Sequence, residues 1–165
     1  SEMCIRDSPN NVALLKGRMK YQTIGPDKLN QLRHARMFRT VSDIERHMKR
    51  HAAILRPKFE TVEKELQKQL ADTGVARWTT PKGGYFISLY VLEGCAKRVE
   101  QLCANAGMIL TPAGATYPYG TDPKDSNIRI APSYPSVEEI EKASEVLALA
   151  VRYAALEKLL SDKEN

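Results

Sequence analysis

Arg129 sits in Asn127-Ile-Arg-Ile-Ala-Pro132 and has the side chain best suited to chemistry. Along an extended chain, successive side chains alternate, so Ile128 and Ile130 share one face and Arg129 takes the other. A guanidinium placed this way can meet a carboxylate through a planar, two-pronged hydrogen-bonding fork, as recognition of an amino acid requires. The same position also suits an arginine that simply faces water, as charged strand residues usually do. Ahead of it, Pro112-Ala-Gly-Ala-Thr-Tyr-Pro-Tyr-Gly120 either brings backbone amides and the phenols of Tyr117 and Tyr119 to a ligand or serves as a plain connecting loop. Its glycines lack the strand-GxGxxG-helix context of a dinucleotide fingerprint.

Other chemistries find no foothold. His47 and His51 stand four apart on a helix, but His-Met-Lys-Arg-His has cations between the rings and no glutamate, so no metal is expected. No GxSxG motif or matched carboxylate pair appears, which leaves acyl transfer and glycoside hydrolysis without a starting point. Cys4, Cys95 and Cys103 are odd in number and lack CxxC spacing, so neither a disulfide framework nor a zinc site is expected. A reducing cytoplasm is the default location.

Charge is uneven: residues 1–60 carry 13 Lys/Arg against 6 Asp/Glu, and residues 61–165 carry 12 against 14. A basic patch attracts anions. Arg33, Arg36, Arg39, Arg46, Lys49 and Arg50 are not interleaved with the aromatics that a single-strand nucleic-acid binder uses, so no nucleic-acid partner is expected. No apolar run approaches the roughly 20 residues of a membrane span, so no membrane partner is expected either.

Several elements must position Arg129. Gly25-Pro26-Asp27 is a turn, with Pro26 suited to the first helical position and Asp27 to the first turn of a helix through Arg39. Ser42-Asp43-Ile44-Glu45 reads as a capping box, followed by an apolar stripe at Ile44, Met48, Ala52, Leu55, Phe59, Val62, Leu66 and Leu70. Pro57 is expected to kink this long helix. Strands are predicted at Val75 to Thr79, Tyr85 to Val91, Met108 to Thr111 and Asn127 to Ala131, with a helix at Ala96 to Ala106. A second capping box, Ser136-Val137-Glu138-Glu139, opens a helix to Leu160 whose stretch from Val146 is apolar nearly all round. The expected fold class is α/β, with an α+β small domain: a long kinked helix, then a small sheet with helices packed on one face.

Five segments occur in a familiar order: Ile24-Gly-Pro-Asp-Lys-Leu-Asn-Gln-Leu-Arg-His34, Arg56-Pro-Lys-Phe59, Pro81-Lys-Gly-Gly-Tyr-Phe-Ile-Ser88, Leu110-Thr-Pro-Ala-Gly-Ala-Thr-Tyr-Pro-Tyr119 and Asn127-Ile-Arg-Ile-Ala-Pro132. Together they resemble the C-terminal part of a fold-type-I aminotransferase dependent on pyridoxal 5'-phosphate (PLP), of a bacterial aspartate-aminotransferase-like subgroup. The resemblance runs from Ser8 to Leu160. Residues 1–8, which have neither the apolar run of a signal peptide nor a clear periodicity, read as a non-native leader; the resemblance implies the tail of a large domain over 9–41, an interdomain helix over 42–73 and a C-terminal small domain over 74–165.

By the same resemblance, Arg129 corresponds to the arginine that binds the substrate α-carboxylate, and Gly84 and Tyr117 lie near the substrate. The small domain closes over a PLP site built mainly by the large domain, in a homodimer. The implied reaction moves an amino group between an amino acid, aspartate or another acidic one, and a 2-oxo acid. The family's Schiff-base lysine, and the aspartate that pairs with the pyridinium nitrogen, precede Ser8 in the family's order. No catalytic or cofactor-binding residue is therefore assigned in this chain, and the segment alone is expected to be inactive. Lys16, Lys20 and Lys28 lie among charged residues, a poor setting for a lysine that must lose its proton. The alternative is a transcription regulator whose aminotransferase-like domain senses a ligand.

Overall fold

A computed structural model of the protein describes residues 8–22 and 25–164. Residues 1–7, with Cys4 and nearly all of the segment read as a leader, lie outside the described residues, as does Ile24. The chain divides into two compact units, Ser1–Lys49 and Arg50–Asn165.

In the first unit, helix α1 (Pro9–Gln22) begins at Ser8, whose carbonyl accepts from the Val12 amide. Helix α2 (Lys28–Met37) begins differently from the sequence expectation. Asp27 is its N-cap, accepting from the Asn30 amide at 2.9 Å, so Pro26 precedes the helix rather than opening it. A short carboxylate at this position satisfies one of the amides that the first turn leaves free. Neither helix buries a residue.

Helix α3 (Val41–Leu70) also starts earlier than expected. The reciprocal cap joins Thr40 and Asp43, not Ser42 and Glu45: the Thr40 amide donates to Asp43 at 3.0 Å, and the Asp43 amide donates to the Thr40 hydroxyl at 3.3 Å. Both pairs have capping-box spacing, and the frame that forms is the one two residues upstream. Pro57 lies within α3 without ending it. The predicted stripe is buried only toward the C-terminal end, where Val62, Leu66 and Leu70 are inaccessible; Ile44 and Met48 are 44% and 62% exposed.

The second unit holds a three-stranded antiparallel sheet of β1 (Ala76–Trp78), β2 (Ile87–Val91) and β3 (Asn127–Ile130), in that spatial order. In the β2–β3 ladder, Ile87 faces Ile130, Ser88 faces Arg129, Leu89 faces Ile128 and Tyr90 faces Asn127. The expected strand at Met108 to Thr111 does not form. An extended run becomes a strand only where a partner edge takes up its amides. Here the Met108 amide instead turns back to the Cys103 carbonyl and closes helix α4 (Ala96–Asn105). Ser136 and Glu139 make the predicted reciprocal cap of helix α5 (Val137–Glu164), at 2.7 and 3.2 Å.

One face of the sheet (Ile87, Leu89, Val91, Ile128 and Ile130) shares a core with Val62, Leu66 and Leu70 of α3, Val99 and Cys103 of α4, and Leu147 and Val151 of α5. The helices thus cover a single face, as the sequence implies. Arg98 of α4 and Glu157 of α5 add a two-pronged ion pair, at 2.7 and 2.8 Å. Cys103 is a core residue, and burial pushes its thiol up to about 11. On α5, Leu149, Tyr153, Leu156 and Leu160 stay exposed at helical spacing, a contiguous apolar stripe of the kind that marks an interaction surface.

The contrast within α3 can be measured. Replacing Leu66, which is fully buried, by alanine should cost about 2–5 kcal/mol of unfolding free energy in a urea titration. Met48→Ala should cost less than about 0.5 kcal/mol.

Candidate functional site

The sheet face opposite the core is polar. Because the ladder alternates, Arg129 and Asn127 of β3 stand there with Ser88 and Tyr90 of β2. Arg129 is half-buried, and its guanidinium lies over the ring of Phe86, with Cζ 4.5 Å from the ring centroid. Phe86 follows Gly83-Gly84-Tyr85, where Gly84 has φ +93°, a conformation that a residue with a Cβ adopts only under strain.

Asn127 is buried and carries two side-chain hydrogen bonds. Its amide nitrogen donates to the Ser88 hydroxyl at 2.7 Å, and its amide oxygen accepts from the Thr116 hydroxyl at 2.7 Å. The second bond fastens the loop that carries Tyr117 to the strand that carries Arg129. The start of the loop is fastened as well, since the Ala113 amide donates to Glu100 of α4 at 2.8 Å. The loop is tight in its middle: a Cβ on Gly114, which has φ +89°, would lie 2.3 Å from the Gly120 carbonyl oxygen. Tyr119 has a left-handed backbone at φ +59° and is fully exposed.

Asp122 closes the loop. Its carboxylate accepts from the amides of Lys124, Ser126 and Asn127 at 2.8 to 2.9 Å. Burial alone would raise this carboxyl, but the three amides and the Lys124 charge outweigh it and hold it below the ordinary range.

The sequence-predicted residues are therefore distributed as follows. Arg129 stands on the open polar face, Tyr117 is half-buried in the loop pinned to Asn127, and Gly84 shapes the turn that delivers Phe86. Among the described residues no hydrogen bond joins Arg129 to Tyr117 or Gly84. Two surface depressions, one lined by Arg33 and Arg36 and the other by Arg77 and Tyr90, do not include these residues. His47 packs against Phe38, with ring centroids 5.2 Å apart. Sequence reasoning gave no role to Phe86, Ser88, Thr116 or Asp122. The place of Asn127 beside Arg129 was readable from the strand alternation, whereas the Phe86 contact joins segments far apart in the chain.

The sequence model of the aspartate amino-transferase family matches residues 3–163. The chain belongs to that family. An aspartate aminotransferase of Corynebacterium glutamicum is 47% identical over 150 residues, covering 91% of this chain and 35% of that enzyme. The crystal structure of an aspartate transaminase from C. glutamicum superposes with a TM-score of 0.83 at 47% identity, over 92% of this chain and 36% of that one. This chain thus spans little more than a third of the length of these relatives, and the fold corresponds to their C-terminal domain. A more distant relative, a helix-turn-helix transcriptional regulator of Bacillus subtilis, is 28% identical over 138 residues, 83% of this chain and 27% of the regulator.

The depressed Asp122 carboxyl predicts the pH response of the loop. With a folded pKa below an unfolded value of about 3.9, its contribution is full above that value and is lost as pH falls through the folded pKa. Amide exchange at Ser126 and Asn127, measured relative to the intrinsic rate, should lose protection as pH is lowered from 5 through the folded pKa of Asp122. In Asp122→Asn the protection should be weaker at pH 5 and nearly flat over that interval.

Proposed function

We propose that the protein carrying this segment is a PLP-dependent aminotransferase that moves an amino group between an amino acid, aspartate or another acidic one, and a 2-oxo acid. In this reading Arg129 binds the substrate α-carboxylate, with Tyr117 and Gly84 beside it. The enzyme works as a cytoplasmic homodimer. Family membership supports the reaction class, and the observation that carries the site assignment is Arg129 itself: a strand-borne guanidinium on the polar sheet face, lying over an aromatic ring and suited to a planar anion. No helix among the described residues is long and apolar enough to cross a membrane.

Bound PLP supplies the electron sink for amino-group transfer. Lys16, Lys20 and Lys28 do not fit its tethering: all three are exposed on helices that bury no residue, whereas a tethering lysine needs a desolvated setting. The anchoring lysine and the acid that pairs with the cofactor ring are assigned to the part of the family architecture that precedes this segment, and the segment alone is expected to be inactive. Its own contribution is recognition. The strand fixes where the carboxylate sits, and the loop held by Asn127 fixes what stands beside it.

The similarity to a transcriptional regulator favours a second reading, in which the same carboxylate site senses a ligand without turning it over. Full-length protein with PLP separates the two. Under the first reading, Arg129→Lys should raise KM for the amino acid and lower kcat/KM roughly 10- to 100-fold, the loss of about 1.5–3 kcal/mol from a charge-assisted hydrogen-bonding pair. Unchanged kinetics would remove Arg129 from the site. Ligand binding without transfer of an amino group would select the second reading.

A further inference from the structure

An arginine that must present its fork to an anion needs something to hold its plane, and the usual holder is a carboxylate or carbonyl that accepts from Nε. Arg129 has none: its Nε is buried and makes no hydrogen bond among the described residues. Ser88, directly opposite in the ladder, has its acceptors engaged elsewhere, since its hydroxyl accepts from the Asn127 side-chain amide and its carbonyl accepts from the Thr79 amide. The guanidinium lies over the Phe86 ring, with Cζ 4.5 Å from the ring centroid. An aromatic face attracts a cation and can pack against a planar guanidinium without using any of its hydrogen-bond donors. Phe86 itself is 49% exposed and stands outside the core of this chain.

We infer that Phe86 is a positioning residue for carboxylate recognition: it fixes the plane of the Arg129 guanidinium and leaves the terminal Nη edge free for the substrate carboxylate. The inference rests on the carboxylate-binding role proposed for Arg129. It also explains why Gly84, with its positive φ, stands two residues earlier, since the turn there delivers the ring onto the outer sheet face. An acidic partner at Nε would hold the fork equally well, but would also neutralise the charge that attracts the substrate. The ring holds it and leaves that charge intact.

The test uses full-length protein with PLP and two readouts, amino-acid kinetics and calorimetric affinity for succinate, which is aspartate without its amino group. Phe86→Leu should raise KM and the succinate Kd about 5- to 20-fold, with kcat changed less than about threefold, whereas Phe86→Tyr and Phe86→Trp should stay within about threefold of wild type. In an Arg129→Lys background, Phe86→Leu should change either quantity by less than about twofold, because the two side chains act as one unit. The inference is overturned if Phe86→Leu leaves succinate affinity unchanged, if Tyr and Trp are as damaging as Leu, or if the Phe86 and Arg129 effects multiply. A wild-type protein that binds succinate through Arg129 but transfers no amino group would defeat the aminotransferase reading alone, and the succinate series would still decide the role of Phe86. A wild type that binds no succinate would overturn the inference itself.

Discussion

The pairing of Ile87–Val91 with Asn127–Ile130 is the constraint from which the rest of this structure follows. Side chains on paired strands alternate with a period of two, so one register decides at once what lies in the core and what faces outward. In the register that forms, Ile87, Leu89, Ile128 and Ile130 enter the core, and Ser88, Tyr90, Asn127 and Arg129 face away from it. A one-residue slip of β3 would drive a guanidinium and a carboxamide into a cluster of aliphatic side chains and turn Ile128 and Ile130 out of it. An unpaired buried charge is among the costliest errors a fold can contain, so the core enforces the position of Arg129 even though Arg129 is not part of it.

The outer face depends on the same pairing through Asn127. This residue completes the register with its hydrogen bond to Ser88 and anchors the loop with its hydrogen bond from Thr116. Asp122 takes up the amides of Ser126 and Asn127 where β3 begins, and Gly114 allows the loop to fold back onto the Gly120 carbonyl. A loop joined to its strand at this many points is a platform rather than a tether. Mobility of Tyr117 and its neighbours is therefore linked to the integrity of the sheet, and a change at Asn127 would be felt in both.

Much of this was legible in the sequence where a local rule has only one solution. The alternation around Arg129 placed it opposite Ile128 and Ile130, and the Ser136–Glu139 pair marked the start of α5 because no competing frame lies nearby. At α3 two frames compete, Thr40–Asp43 and Ser42–Glu45, and spacing alone does not choose between them. Met108 to Thr111 has strand composition, but pairing is a property of two segments and composition describes one. The Phe86–Arg129 contact was hidden for the same reason, since it joins a turn to a strand through packing that no single segment encodes. The five family motifs do encode it in part: two of them contain these two residues, and the fold brings those two together.

The distribution of burial explains how a segment with a complete core can still present an incomplete site. The core of the second unit is satisfied by its own strands and helices, whereas α1 and α2 bury nothing and α5 keeps Leu149, Tyr153, Leu156 and Leu160 exposed. Arg129 likewise stands on an open face with one wall. If Arg129 binds a carboxylate as proposed, that contact alone does not discriminate, because every amino acid and 2-oxo acid carries one, and discrimination and chemistry would need groups that approach from the polar side. Under the proposed function those groups belong to the rest of the enzyme. The small sheet then supplies the invariant part of recognition, held rigid by its own core, while the opposing wall supplies choice of substrate and reaction.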